Sequence, residues 1–373
     1  MKLLVISSAS FIRSDSGWQA YTPYVNEMEI WQRYSDEIQF CCPIWESDRG
    51  LFVRKVPFVM NEPVVLEEFN IKSVSAILRT VLILIPNSVR IFKAIRTADH
   101  IHLRCPGNVG LLACFVQILF PNKIKTAKYA GNWDPKSKQP WSYRLQKWIL
   151  NNTRLTKNIK VLVYGEWEGA SANIKPFFTA TYTEKDKKET PLRIPEGTIK
   201  LLFVGTLSKG KQPLYAVKLA HKLLESGYNV RLDLYGEGAE RENLTAYIQE
   251  NKLQQNIELH GNQKAEMIEK AYQESHFLIL PSQSEGWPKV VAEAMFWGCV
   301  PVATKVSCVP TMLANSERGI LLTMSEKEDI KLLKQCIDHH HDYKKKAIQA
   351  MEWSQQFTLD YFENEIQKIL TNH

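Results

Sequence analysis

The chain has 373 residues, enough for two domains with separate cores. Its 45% hydrophobic and 23% charged residues exclude a disordered or fibrous chain. A net charge of +7 favours anionic partners, and with no zinc-finger spacing, RNA-binding aromatic signature or long basic tail a nucleoside diphosphate or anionic lipid surface ranks above nucleic acid.

Seven cysteines, at positions 41, 42, 105, 114, 299, 308 and 336, show no Cys-x-x-Cys spacing. Several fall in apolar runs, so they read as reduced, buried thiols of a cytoplasmic protein. Met1 to Ser8 is too short for a secretory leader and reads as a first strand. No apolar run reaches the ~18 residues of a membrane-crossing helix.

Next come a loop from Ala9 to Trp18, containing Gly17, and an amphipathic helix from Tyr24 to Tyr34. Ile38 to Cys42 reads as a second strand and Lys55 to Val59 as a third. Residues 73–97 read as one or two helices in which Arg79, Arg90, Lys93 and Arg96, with Lys72 just ahead, stand among Ile, Leu, Val and Phe. Such a basic amphipathic face is either solvated or a membrane-surface contact. Asp99 to Arg104 reads as a strand entering the loop Cys105 to Asn108, followed by a helix over Val109 to Phe120. Strand Lys123 to Tyr129 leads into the loop Ala130 to Pro135. Doubly wound sheets gather ligands at the carboxyl ends of their strands, which makes Arg104, Asn132 and Asp134 candidates for the acceptor side of a site. His102 is either a core histidine or a further contact there. A helix over Trp141 to Asn152 and a strand over Lys160 to Tyr164 complete an alternation that argues for a parallel α/β sheet.

Residues 183–191 are charged, free of apolar side chains and end in Pro191, as an interdomain linker does. The alternation then restarts. Strand Ile199 to Val204 opens into the basic loop Gly205 to Pro213, ahead of a helix from Leu214 to Ser226. Lys211, near that helix start, suits phosphate as a mobile point charge. Strand Val230 to Tyr235 leads to Gly236-Glu237-Gly238, and strand Asn256 to His260 leads to Gly261-Asn262. The apolar strand Phe277 to Pro281 runs into Ser282-Gln283-Ser284-Glu285-Gly286-Trp287-Pro288-Lys289-Val290-Val291-Ala292-Glu293. This is strand, turn and helix start, with Pro288 in the first turn. Amides and the helix dipole there make an anion site. Glu285 and Glu293 beside it accept from sugar hydroxyls. In the plainer alternative Glu285 caps the helix and Glu293 is solvated. His339, His340 and His341 are consecutive and cannot face one ion on a helix, so they read as a solvated turn, and no metal site is expected.

The run Ser282 to Val302 resembles the signature of the retaining family 4 glycosyltransferases, roughly S-x-x-E-G-(F/W)-P-x-(V/S)-x-x-E-A-(M/L)-A-x-G-x-P-V. Gly205-Thr206-Leu207-Ser208-Lys209-Gly210-Lys211 resembles the family's G-R-L-x-x-x-K, with Thr206 where the family has Arg. The resemblance covers the second half by motif and the first by strand–helix rhythm. It implies a GT-B fold: α/β, two Rossmann-like domains whose parallel sheets face each other across a cleft. The expected boundaries are 1–182 for an acceptor-binding domain, 183–198 for the linker, 199–352 for a nucleotide-sugar domain, and 353–373 for a helix crossing back.

By the same resemblance Glu293 holds the ribose hydroxyls, Glu285 the hydroxyls of the donor sugar, and Lys211 the diphosphate together with the amides of Gly286, Trp287, Pro288, Lys289 and Val290 (Pro288 lacking an N–H). Gly205, Gly236 and Asn262 border the nucleotide, and Gly17 matches a glycine loop that reaches toward phosphate and acceptor. Lys209 either supplies the charge missing at Thr206 or is an exposed loop lysine. The family's first-domain His has no counterpart in Tyr129-Ala130-Gly131. The expected activity is a metal-independent, cofactor-free, retaining hexosyl transfer from a nucleoside-diphosphate sugar to a glycan or lipid-linked acceptor. The expected setting is surface polysaccharide biosynthesis in the cytoplasm, at the inner face of the membrane. Thr206 and the missing His favour an alternative, a hinged nucleotide-sugar-binding or glycan-binding protein without catalysis. A nicotinamide enzyme is disfavoured because Ser7-Ser8-Ala9-Ser10 replaces the G-x-G-x-x-G fingerprint.

Overall fold

A computed structural model describes residues 1–15, 17–69, 74–188 and 191–371, with the backbone alone for 74–81. Lys72, the Arg79 side chain, Glu189 and Thr190 lie outside the described residues. The chain divides into two compact units, Met1–Phe177 with the chain from Glu363 onward, and Phe178–Phe362.

The apolar runs of the first unit become β1 (Lys2–Ile6), β4 (Glu37–Cys42), β7 (Asn61–Val65), β8 (His100–Cys105), β9 (Ile124–Tyr129), β10 (Ile159–Tyr164) and β11 (Ile174–Phe177). They form one parallel sheet in the order β11-β10-β9-β8-β1-β4-β7. Central strands of such a sheet are covered on both faces, so Leu3, Leu4, Val5 and Ile6 are all fully buried. The covering helices are α1 (Thr22–Arg33), α2 (Val74–Thr97), α3 (Asn108–Val116) and α4 (Trp141–Asn151).

Two expectations fail here. The loop expected at residues 9–18 is instead a hairpin of β2 (Phe11–Ser14) and β3 (Gly17–Tyr21), joined by β5 (Ile44–Trp45) and β6 (Val53–Lys55) into a small sheet. The third strand expected at Lys55–Val59 is not in the main sheet. Val53–Lys55 belongs to the small sheet, Val59 is exposed, and Asn61–Val65 takes the place beside β4.

In the second unit β12 (Thr198–Val204), β13 (Asn229–Tyr235), β14 (Ile257–Gly261), β15 (Phe277–Leu280), β16 (Val300–Thr304) and β17 (Ile320–Leu322) form a parallel sheet in the order β14-β13-β12-β15-β16-β17. The helices are α5 (Pro213–Glu225), α6 (Arg241–Glu250), α7 (Ala265–Glu274), α8 (Lys289–Phe296), the short α9 (Val309–Met312), α10 (Glu326–Asp338) and α11 (His340–Ser354). The strand order reverses between β12 and β15, and the loops leaving those two strands open a crevice there. The unit division falls within α12 (Leu359–Thr371).

The charged stretch after Tyr182 is tied down within the second unit. Thr183 and Asp186 form a reciprocal cap, and the Arg193 guanidinium donates to the carbonyls of Ser275 (3.1 Å), Trp297 (2.9 Å) and Gln273. All seven cysteines are buried and unpaired, with the Cys105 and Cys114 sulfurs 3.9 Å apart.

Candidate active site

The crevice of the second unit brings two distant motifs together. The Gln283 amide donates to the Gly210 carbonyl at 2.8 Å. This fixes the loop after β12 against the loop after β15, and Lys211 Nζ meets Glu285 Oε1 at 2.6 Å. The Glu285 side chain is 9% exposed and that of Lys211 29%, so the pair stands at an edge where solvent is largely displaced. Pro288 is the N-cap of α8 rather than a first-turn residue, and Lys289 opens the helix. First-turn amides such as those of Lys289 and Val290 have no acceptor within their own helix. Behind them the Ser307 hydroxyl and Cys308 thiol donate to the Gly286 carbonyl, at 2.9 and 3.3 Å. This clamp orients the peptide that follows Gly286.

Glu293 lies on the next turns of α8 with both oxygens oriented. Thr181 Oγ1 donates to Oε1 at 2.7 Å and Tyr272 Oη to Oε2 at 3.0 Å. Burial and the neighbouring Glu293 carboxylate raise the Tyr272 phenol pKa well above its ordinary value, so it stays a donor. Neither partner was legible in the sequence. Tyr272 has the pattern of a core aromatic, and Thr181 stands ahead of the expected boundary at 182. Gly236 has φ +137°, and a Cβ there would come within 2.0 Å of the Gly205 carbonyl oxygen. The loops after β12 and β13 therefore touch through backbone, with the Gly205 amide on the Tyr235 carbonyl at 2.9 Å and Leu207 on Glu237 at 2.9 Å. Asn262 is exposed just beyond β14. Lys209 is exposed and borders an open hollow with Gln212, Tyr215, Lys218, Glu240 and Gln283.

In the first unit Gly17, at φ +111°, closes the β2–β3 hairpin and accepts from Ser14 Oγ at 2.8 Å. Arg104 and Lys128 are register partners on β8 and β9. Both bind Glu27 of α1, Lys128 at 2.9 Å. Burial alone pushes the Glu27 carboxyl up, but the two cations hold it well below the usual carboxylate range. The side-chain amide oxygen of Asn132 accepts the Asp134 backbone amide at 2.9 Å, and one carboxylate oxygen of Asp134 accepts that of Lys136 at 2.8 Å. His102 is fully buried, bonded to Thr126 Oγ1 at 2.8 Å and 4.0 Å from the Trp31 ring. Burial lowers its pKa well below the ordinary value, so it is a neutral core histidine.

His339 bonds the Gln335 carbonyl at 2.8 Å, while His340 faces Glu196 at 3.3 Å. Among the described residues Asp233, Glu258 and His260 on β13 and β14 have metal-ligand spacing. Arg231 already lies on both carboxylates, at 3.2 and 2.8 Å, which makes the group an ion-pair network.

Residues 184–350 match the model of "Glycosyl transferases group 1". The poly(glycerol-phosphate) alpha-glucosyltransferase of Bacillus subtilis (strain 168) is 28% identical over 128 residues, 34% of this chain and 19% of that enzyme's length. The structure of Anabaena Alr3699/HepE in complex with UDP and glucose aligns with a TM-score of 0.70 at 15% identity, covering 100% of both chains. Sucrose-phosphate synthase from Thermosynechococcus elongatus aligns with a TM-score of 0.67 at 16% identity, covering 100% of this chain and 98% of that one. Residues 184–350 thus resemble the glycosyl transferases group 1, and the fold of the chain is GT-B.

Proposed function

We propose that this protein is a glycosyltransferase that moves a hexose-type sugar from a nucleoside-diphosphate donor to a hydroxyl of a glycan or lipid-linked acceptor, with retention at the anomeric carbon, in surface polysaccharide biosynthesis. The observation that carries the reading is the Lys211–Glu285 pair in the β12–β15 crevice, beside the start of α8. A cation, first-turn amides and a carboxylate at one spot match a ligand with both a diphosphate and sugar hydroxyls.

In this reading the diphosphate replaces Glu285 as the partner of Lys211, and Glu285 turns to a hydroxyl of the donor sugar. Glu293, its oxygens already aligned by Thr181 and Tyr272, accepts from the ribose hydroxyls. Gly236 brings the two loops close enough for the nucleotide to lie over backbone. As the bond from the anomeric carbon to phosphate oxygen breaks, negative charge grows on the diphosphate, and Lys211 and the amides stabilise it. The acceptor oxygen bonds the anomeric carbon on the same face. Its proton passes to the departing phosphate oxygen, so the step needs no protein base, and with Lys211 and the amides on the diphosphate charge it needs no metal. The B. subtilis relative named an alpha-glucosyltransferase and the neighbour holding UDP and glucose support a nucleotide-sugar donor.

The test is a screen of UDP-, GDP-, ADP- and TDP-linked sugars by thermal shift and diphosphate release, with and without chelator. Stabilisation by one donor with chelator-insensitive release is expected. Thr206, in place of the family's Arg, favours a second reading as a binding protein. Binding with no turnover on any acceptor selects it. No response to any donor overturns the donor-site assignment of Lys211, Glu285 and Glu293.

A further inference from the structure

Helix α2 is apolar on two opposite faces. Ile91, Ala94 and Ile95 are buried in the core of the first unit, and Ile83 is buried as well. On the other side Leu82 is 77% exposed, Ile85 68%, Val89 46% and Phe92 36%. These recur at intervals of three and four, and with Arg96 they fall within an arc of about 100° and a length of about 21 Å. The Phe92 ring touches that of Phe120 at 4.9 Å, and next to Phe120 on the chain Leu119 is 66% exposed. The core does not use this stripe, and an exposed apolar surface of this length needs an occupant.

Charge says which occupant. The chain has no Asp or Glu from Phe69 to Ala98 and none from His100 to Trp133. At the carboxyl end of the stripe Lys93 and Arg96 are exposed and enter no ion pair among the described residues. Arg90, on the flank, is paired with Glu67 at 3.2 Å. Apolar side chains in line, with long basic side chains at their end, match a surface that is oily beneath and negative above. Among the described residues no helix is long and apolar enough to cross a membrane, so contact would be with one leaflet.

We propose that the outer stripe of α2, from Leu82 to Arg96, docks the protein on an anionic lipid bilayer. Leu82, Ile85, Val89 and Phe92 enter the headgroup–acyl boundary, and Lys93 and Arg96 pair with lipid phosphates. The inference is independent of the donor-site reading, and either can fail alone.

The experiment is co-sedimentation of the full chain with neutral phosphatidylcholine vesicles and with vesicles containing phosphatidylglycerol. Binding to the anionic vesicles, weakened by salt, is expected. Two variants separate the components: Ile85→Gln with Val89→Gln, and Lys93→Gln with Arg96→Gln. Each removes side chains that the core does not hold, so both keep the wild-type melting temperature and donor-induced thermal shift. The charge pair is expected to lose roughly 20-fold in vesicle partition at low salt. Wild-type protein that stays in solution with anionic vesicles overturns the proposal. So do variants that sediment like wild type, or a stripe-dependent dimer with no vesicle binding, which would assign the surface to a second copy.

Discussion

At the scale of single residues the proposed donor site turns on one ion pair. Lys211 is paired with Glu285, so in the proposed function a donor replaces that contact for both of them. In that reading, removing the cation leaves the leaving diphosphate with amides alone. Lys211→Ala is therefore expected to lower kcat roughly 10²- to 10³-fold, equivalent to about 2.7–4 kcal/mol of barrier, read by steady-state kinetics. Tyr272 acts one step away, as a positioning residue for Glu293. Tyr272→Phe keeps the buried ring and deletes one donor. We expect KM for the nucleotide sugar to rise roughly fivefold to tenfold, about 1–1.4 kcal/mol, with kcat little changed. A fall in melting temperature with an unchanged KM would make Tyr272 merely structural.

At the scale of elements, what the sequence disclosed depended on how each strand is covered. Phe277–Leu280 and Ile199–Val204 are sandwiched between helices, so the first reads as an unbroken apolar run and the second as one interrupted only by Lys200, and both were found within a residue or two. The β2–β3 hairpin was missed because its strands are short and partly exposed, and Gly17 signalled a turn without saying that strands flank it. The signature loop was legible as residue types, but its clamp was not. Ser307 and Cys308 hold Gly286 across 21 and 22 residues of chain, a contact with no local pattern. The contact of the β12 and β13 loops yields a prediction of its own. Gly236→Ala places a methyl at φ +137° against a backbone oxygen. A loss of at least about 2 kcal/mol is expected, lowering the melting temperature by about 4–8 °C and weakening donor binding.

At the scale of the molecule, stability must answer to pH through groups the fold keeps neutral. His276, just ahead of β15, accepts the Lys200 amide at 3.0 Å and is 7% exposed. Burial first, and Arg193 second, lower its pKa from 6.5 to about 4. Below 6.5 the unfolded chain takes up a proton that the folded chain refuses, so this contribution is intact above 6.5 and drains away as pH falls toward 4. It amounts to about 3 kcal/mol at the lower end. Denaturation curves from pH 7.5 to 4 are expected to show a shallower slope for His276→Gln than for wild type, and equal slopes would remove His276 from the acid response. The buried thiols also give the folded chain a set of internal clocks. Burial raises Cys41, Cys299 and Cys308 to about 12 and Cys336 to about 11, so in the native state they offer a thiol reagent neither access nor thiolate. Each alkylation event therefore dates an opening. Cys41, Cys42, Cys105 and Cys114 lie in the first unit and Cys299, Cys308 and Cys336 in the second. Mass-resolved labelling can time the breathing of each half separately, in the unaltered protein.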